Sequence, residues 1–566
     1  MTLEGTMKEL IEAMTSNPDE FIRLISEKSD GFSQEYAAFL DSIDPLKGLY
    51  ELFELKGLTP FAGHSLGPVF KPAVKEIERI NELQASQLHE GHFPETREHG
   101  GNWFDCDIEE EAIKAMQAML GFSEPCEFLY TQEGLSSNLG RLVDTFYRPT
   151  LMDWQSGKTG FCHLGKEFFS DQAVIESVLK RGIQTAKGFG VFSASKPAPS
   201  PSSLTLKILP DEKGLYSEEA IIDFVKKHAG QMQILHLSDI VFSTGQRLDI
   251  TRILTELKDT IEQYHIIVGL DLAHTVGNRT LNLCELPVTY AVGCGYKHIC
   301  GSAGSGFGIY VNKNTDLEKY PPIQGWKAAA SDKVFDLIDG YDSEIMMQKG
   351  AWAFRCSNPS PIALAPVKTY IKTMSQIGWD KLNAKSECLT RYMHALIQQH
   401  LGDKIEWITP DDPKKRGAML VFRVKGISDV RQIETLLKTA NELGTFEIDV
   451  RPPNNIRVTA HYGYTQFTDI HKMVARLEQV VHLLLEQKKQ ESLILTSIKQ
   501  GKESVFFEQQ VGKTAPSSLQ HASTDKEQES LTLTARRESG FFEQKVEKKG
   551  PSSLQHTQAN TGGCNP

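Results

Sequence analysis

I-I-V-G-L-D-L-A-H-T-V-G-N (266–278) and, after eleven residues, Y-A-V-G-C-G-Y-K-H-I-C-G-S-A-G-S-G-F-G (290–308) carry the architecture of this chain. Ile266 to Leu270 is a short, continuous apolar run that ends in Asp271. A run without polar alternation suits a parallel strand buried on both faces. Ligands of open α/β sheets sit beyond the carboxyl ends of the strands. Asp271 and His274 belong at such an end. The second run ends at Tyr296-Lys297 and enters a loop with Gly301, Gly304 and Gly306, where the lack of side chains permits close backbone approach.

Working outward, Ile234 to Leu237 is another apolar strand, ending in Ser238, and a helical pattern spans about 248–263. Strand, helix and strand in succession predict a parallel sheet. A strand-end Asp and a Lys in a small-residue pocket form the pair that pyridoxal 5'-phosphate requires. The amine forms a Schiff base with the aldehyde, and the carboxylate pairs with the protonated ring nitrogen. Either residue alone reads as an ordinary strand end or a surface lysine.

The set D-L-A-H-T-V-G-N plus G-Y-K resembles kynureninase, a pyridoxal-phosphate family of the aspartate aminotransferase fold in the class V aminotransferase group. Further matches follow in the family's order: G-H-S-L-G (63–67), F-F-S-D (168–171), Gly325-Trp326, F-R-C-S-N-P (354–359) and Ile456-Arg457-Val458. The resemblance implies an α/β protein of pyridoxal-phosphate fold type I. It would have a helical arm at 1–60, a large cofactor-binding domain with a mostly parallel sheet at 61–345, and a small C-terminal α/β domain at 346–490.

It also implies roles. Lys297 is the Schiff-base lysine, Asp271 the ring-nitrogen partner, and Tyr296 an acid or base that touches the phosphate. Leu135 and Ser136 cradle the phosphate at a helix start near Gly134, where free backbone amides bind anions. Phe168 stacks on the ring, and Asp171, Ser238 and His274 contact the cofactor. Trp326 and Asn358 reach it from a neighbouring subunit of a homodimer. Ser65, His99 and Arg457 meet the substrate, with Arg457 pairing its carboxylate. His64 and Ser65 read equally well as helix-capping loop residues.

The implied reaction is hydrolytic cleavage of L-kynurenine or 3-hydroxykynurenine to anthranilate or 3-hydroxyanthranilate and L-alanine, chemistry of tryptophan catabolism and NAD biosynthesis. One position departs from the family. Three residues after Trp326, where kynureninases usually carry a histidine near the substrate ring, stands Ala329. Another lyase or a cysteine desulfurase-like activity therefore stays open, although no reactive cysteine can be singled out. A scaffold with tail-recruited partners also stays open.

Bulk properties narrow the classes. The 566 residues are 40% hydrophobic and 24% charged, with a net charge of −12. That excess of acid argues against nucleic-acid binding. There is no membrane-length apolar run or signal-peptide pattern, and nine scattered cysteines lack a C-x-x-C pair, so a cytoplasmic location is expected. His89, His92 and His99 match no standard metal spacing, and no metal is expected. The N-terminal region reads as helices, with Leu10, Ile11 and Met14 on one face and Phe21, Leu24 and Ile25 on another. From 491 to 566, Gln, Glu, Lys and Ser dominate, and a motif recurs at 503–521 and 538–556. This reads as a disordered tail whose Phe506-Phe507 and Phe541-Phe542 either dock a protein partner or do nothing.

Overall fold

Ile267–Asp271 is a strand at the centre of a seven-stranded sheet in the computed structural model of the chain, which describes residues 3–92, 105–329, 348–452 and 454–499. We label the strands in chain order: β1 Phe128–Leu129, β2 Gly160–Leu164, β3 Thr205–Ile208, β4 Met232–Ser238, β5 Ile267–Asp271, β6 Tyr290–Cys294 and β7 Gly306–Val311. Their order across the sheet is β1-β7-β6-β5-β4-β2-β3. The neighbours from β6 to β3 pair in parallel, and β7 runs antiparallel to both β6 and β1. The sheet is thus mostly parallel, as the runs predict.

The absence of alternation has a visible cause. Leu235, Leu237, Val268 and Leu270 pack into one core, while Ile234, Tyr290 and Val292 pack into a second. Successive side chains alternate between faces, and both faces are covered, so the strands are buried along their length and largely apolar. Gly269 interrupts the run because a Cβ there would lie 2.1 Å from the Tyr290 ring. The register pairs Ser238 with Asp271 and Asp271 with Val292. This aligns the polar strand ends along one rim.

A second sheet is antiparallel throughout. Its strands are β8 Ile405–Trp407, β9 Met419–Val424, β10 Asp449–Arg451 and β11 Asn455–Thr459, in the order β8-β9-β11-β10. Its core includes Leu420, Phe422 and Val458 and is shared with Leu10, Met14, Phe21, Leu24 and Ile25 of the N-terminal helices Leu3–Ser16 and Pro18–Ser26. The arm therefore packs on the C-terminal layer, with Ile11 half-buried. Met1–Leu493 belongs to one compact unit. The boundary expected at 345 and the tail repeats lie outside the described residues. The helix Phe467–Lys499 runs past the expected boundary at 490, with Leu493, Ile494 and Leu495 exposed.

One ion pair ties the arm to the C-terminal layer. Lys385 Nζ lies 2.5 Å from Asp44 Oδ2, and both side chains are buried. Removing one partner strands a buried charge. We expect Asp44→Asn, which keeps an oxygen to accept from the Leu46 amide (2.8 Å in the native protein), to lower unfolding free energy by roughly 3 kcal/mol. Urea titration reads this directly, and a loss below about 1 kcal/mol would mean the pair is solvated in solution.

Candidate active site

The carboxyl ends of β4, β5 and β6 open into a cleft of about 390 Å³. Its lining brings together Ser65, Leu135, Ser136, Phe168, Asp171, Asp271, His274, Tyr296, Lys297 and Arg457, residues scattered over nearly 400 positions of sequence. Lys297 follows β6 in a tight turn. Gly67 donates its amide to Tyr296 O at 2.9 Å, and a Cβ on Gly67 would fall 2.6 Å from Lys297 O. The G-H-S-L-G segment thus clamps the lysine loop from outside. Beneath it, Gly306 lets the 131–133 backbone approach, since a Cβ would meet Thr131 O at 2.2 Å.

Lys297 Nζ lies 3.1 Å from His274 Nε2. Burial, then the nearby Lys297 cation, holds the His274 imidazole well below its ordinary range, so it is neutral and accepts from the ammonium. Its Nδ1 is buried without a partner. Tyr296 is half-buried, and burial with the adjacent Cys294 thiol raises its hydroxyl, keeping it protonated. Asp271 accepts from the Ala273 amide at 2.8 Å. Burial raises its carboxyl, and Lys297 opposes that rise.

Asp271 is not the only carboxyl here. One oxygen each of Glu167, Asp171 and Asp271 lie within 4.8 Å of one another, all three residues buried. Asp171 stands in the first turn of the helix Phe169–Gly188, and neither of its buried oxygens has a hydrogen-bond partner. Burial and the neighbouring charges of Asp271 and Glu167 raise the Asp171 carboxyl strongly. A pocket with unmatched acceptors fits an occupant that brings N–H or a positive charge.

On the opposite side, Gly134 caps the helix Leu135–Phe146, whose first residues line the cleft beside Gly304. A helix start with amides toward a cavity is an anion site. Phe168 is 37% exposed, in edge contact with Phe242 at 5.2 Å between ring centroids. It belongs to the cleft wall instead of the core, with the Phe169 ring tilted against it at 4.5 Å between centroids.

Arg457 enters from β11. Its Nη1 donates to Phe242 O (2.8 Å), its Nη2 to Ser65 Oγ (3.2 Å), and its Nε to Asp449 Oδ2 (3.0 Å), with a second, closer contact from Nη2 to that oxygen. Asp449 is its direct cross-strand neighbour on β10. Ser65 Oγ also donates to Asp449 (2.6 Å), and His64 Nε2 lies 3.2 Å from it. Burial opposes ionisation of Asp449, but His64, Arg457 and Ser65 outweigh it and hold the carboxyl well below the usual range. His64 is itself fully buried, lowered to about 4 by burial, and bonded through Nδ1 to Thr459 Oγ1 at 2.8 Å. It serves the Arg457 cluster and caps no helix.

Three expected residues among the described ones are not in the cleft lining. Ser238, the cross-strand neighbour of Asp271, donates to the Glu167 carboxyl at 2.8 Å. Trp326 and Asn358 are exposed, on neighbouring segments joined where Gly325 donates to Arg355 O (3.3 Å). His99 falls outside the described residues. Glu167 and Asp449 escaped sequence reading. Ala329 is buried and not in the lining. Cys294 is the cysteine lining the cleft, and burial raises its thiol; the exposed Cys284 and Cys356 lie elsewhere.

A family model described as the kynureninase C-terminal domain matches residues 382–477, the span that holds the second sheet and Arg457. Kynureninase of Xanthomonas oryzae is 28% identical over 457 residues, covering 80% of this chain and 99% of that protein. Kynureninase of Xanthomonas campestris is 27% identical over 458 residues, covering 80% and 98%. Among solved structures, an apo cysteine desulfurase from Thermococcus onnurineus aligns with a TM-score of 0.55 at 15% identity, covering 78% of this chain and 98% of its own. A cystine C–S lyase in complex with its product cysteine persulfide aligns at 0.56 and 16%, covering 75% and 98%. Those structures share the fold. No helix among the described residues is long and apolar enough to cross a membrane.

Proposed function

We propose that this kynureninase-like chain is a pyridoxal-phosphate hydrolase that cleaves the β,γ carbon–carbon bond of L-kynurenine or 3-hydroxykynurenine, giving L-alanine and an anthranilate. The observation that carries the reading is one cleft holding Lys297, Asp271 and Arg457 together. The cofactor supplies an electron sink when bound. The residues fit it: the helix start at Gly134 suits a phosphate, Phe168 in the cleft wall a ring, and the unmatched oxygens of Asp171 with Asp271 a protonated ring nitrogen.

The chain's own groups do the rest. Lys297 would hold the cofactor's aldehyde carbon and, as a free amine, is placed to take the substrate's α-proton. His274, held neutral, accepts from Lys297 and leaves it free of a competing cation. Tyr296, held protonated, is a donor toward the developing carbanion. Arg457, fixed by Asp449 and Ser65, orients the amino-acid carboxylate. Trp326 and Asn358 complete the site from a second copy in a cytoplasmic homodimer. The buried Ala329 in place of a histidine favours one second reading, a different amino-acid substrate on the same machinery. Cys294, the single cysteine among the described residues of the cleft lining, is raised by burial, which makes a desulfurase less apt.

The test is a paired assay of the purified protein with pyridoxal phosphate and each kynurenine, following anthranilate fluorescence and alanine. Turnover of either supports the reading. A protein that takes up the cofactor yet leaves both untouched moves the search to other amino acids, and one that takes up none overturns it.

A further inference from the structure

We propose that Glu167 is a third carboxyl of the cofactor site, a positioning residue that retains a proton in the cofactor-free protein and releases it to solvent when a cationic ring enters. The inference rests on the function proposed above. Glu167 sits just past β2 and is almost fully buried. Its carboxyl accepts from Ser238 Oγ at 2.8 Å and from the Phe168 amide at 3.1 Å. Those bonds point it at the strand rim, where an oxygen of Asp171 and one of Asp271 lie within 4.8 Å of one of its own.

Three buried carboxyls at that spacing do not all ionise, because like charges in a low-dielectric site repel. The groups facing Glu167 are Asp171 from its helix, Asp271 from β5, Ser238 from β4 and the Tyr216 phenol, which accepts from the Lys166 amide. Lys297 is the nearby cation, and it acts on Asp171 and Asp271. Asp171, buried and without a hydrogen-bond partner, lines the cleft itself. One carboxylate suffices to pair with a ring nitrogen. A site with three is negative beyond that need unless protons are stored: Asp171, without a donor, holds one most firmly, and Glu167, whose donors Ser238 and the Phe168 amide favour its ionised form, is the group whose proton a cationic ring displaces.

The sign of the effect is defined. Burial raises the Glu167 carboxyl to about 7. A carboxyl higher in the folded than in the unfolded state costs stability as pH rises from its ordinary range through the raised value. Cofactor-free wild type should therefore lose thermal stability between about pH 5 and pH 8. Glu167→Gln should flatten that fall and be the more stable protein at pH 8. With pyridoxal phosphate the order reverses. Followed by the visible absorbance of the lysine-bound cofactor, Glu167→Gln should bind like wild type near pH 6 and about tenfold more weakly near pH 8, the equivalent of about one pK unit.

This crossing of signs separates the proposal from a packing role, which would weaken both states at every pH. Parallel curves for the two proteins in either readout overturn it. If Glu167→Gln does not fold, Ser238→Ala reads the same group: losing the donated hydrogen bond raises the carboxyl further and should carry the fall in cofactor-free stability to higher pH, and an unchanged profile overturns the proposal. Wild type that takes up no cofactor at any pH fails the proposed function, and this inference falls with it. Failure of the Glu167 comparison alone leaves the proposed function standing.

Discussion

Lys297→Ala should lower kynurenine turnover by at least about 10³-fold and leave the protein unable to develop visible absorbance with pyridoxal phosphate. Two separate losses add here. The covalent anchor for the aldehyde disappears, and so does the base that takes the α-proton, a role worth about 10²–10⁴-fold by itself. The variant should fold normally, because the partner it abandons is His274, which burial already keeps neutral. Asp171 and Asp271 lose the cation that opposes the rise of their carboxyls and answer by holding protons, so no charge is stranded as at the Asp44–Lys385 pair. Unfolding curves that match wild type, combined with lost turnover, therefore assign the loss to chemistry. Residual turnover within tenfold of wild type would remove Lys297 from the mechanism.

The large sheet was legible because burial on both faces writes a continuous apolar run, and few alternatives share that pattern. Asp271 and Lys297 were legible because each ends such a run. Phe168 was legible through its motif alone; nothing in a lone phenylalanine distinguishes a wall from a core. Asp449 was not legible. It sits on the three-residue strand Asp449–Arg451, which carries no periodicity, and its meaning comes from cross-strand register with Arg457. Glu167 was hidden for a similar reason: a single acid before an F-F-S-D motif reads as solvated, and only the sheet order brings it beside Asp271. Ser238 was placed correctly at its strand end, but its partner was not foreseeable without Glu167. Long-range pairing thus hid Asp449 and Glu167, whereas local patterning carried the large sheet.

Arg457→Lys should reduce kcat/KM by about 10²–10³-fold, with most of the loss in KM. The guanidinium makes contacts no ammonium can reproduce at once: Nε and Nη2 to Asp449, Nη2 to Ser65 and Nη1 to Phe242 O. Asp449 fixes the Nε edge of the guanidinium plane, and the Nη groups are spent on Ser65 and Phe242 O, so two-point pairing has the substrate carboxylate replace those two bonds. Losing the two-point geometry costs about 3–4 kcal/mol, taking about 1.5–3 kcal/mol per charged hydrogen bond, and each 1.36 kcal/mol is tenfold. Lysine is the informative replacement because it keeps a cation beside Asp449; leucine would strand that carboxylate and confound binding with stability. The Asp449 carboxyl is depressed, so its contribution to stability is complete above the ordinary carboxylate range and is lost only as pH falls through the lowered value. The cluster is therefore intact across any neutral assay. A substrate analogue without the carboxylate closes the argument. Wild type and Arg457→Lys should handle it alike, since the interaction removed from the protein is already missing from the ligand. Equal losses on both compounds would show that Arg457 shapes the cleft and does not grip the substrate.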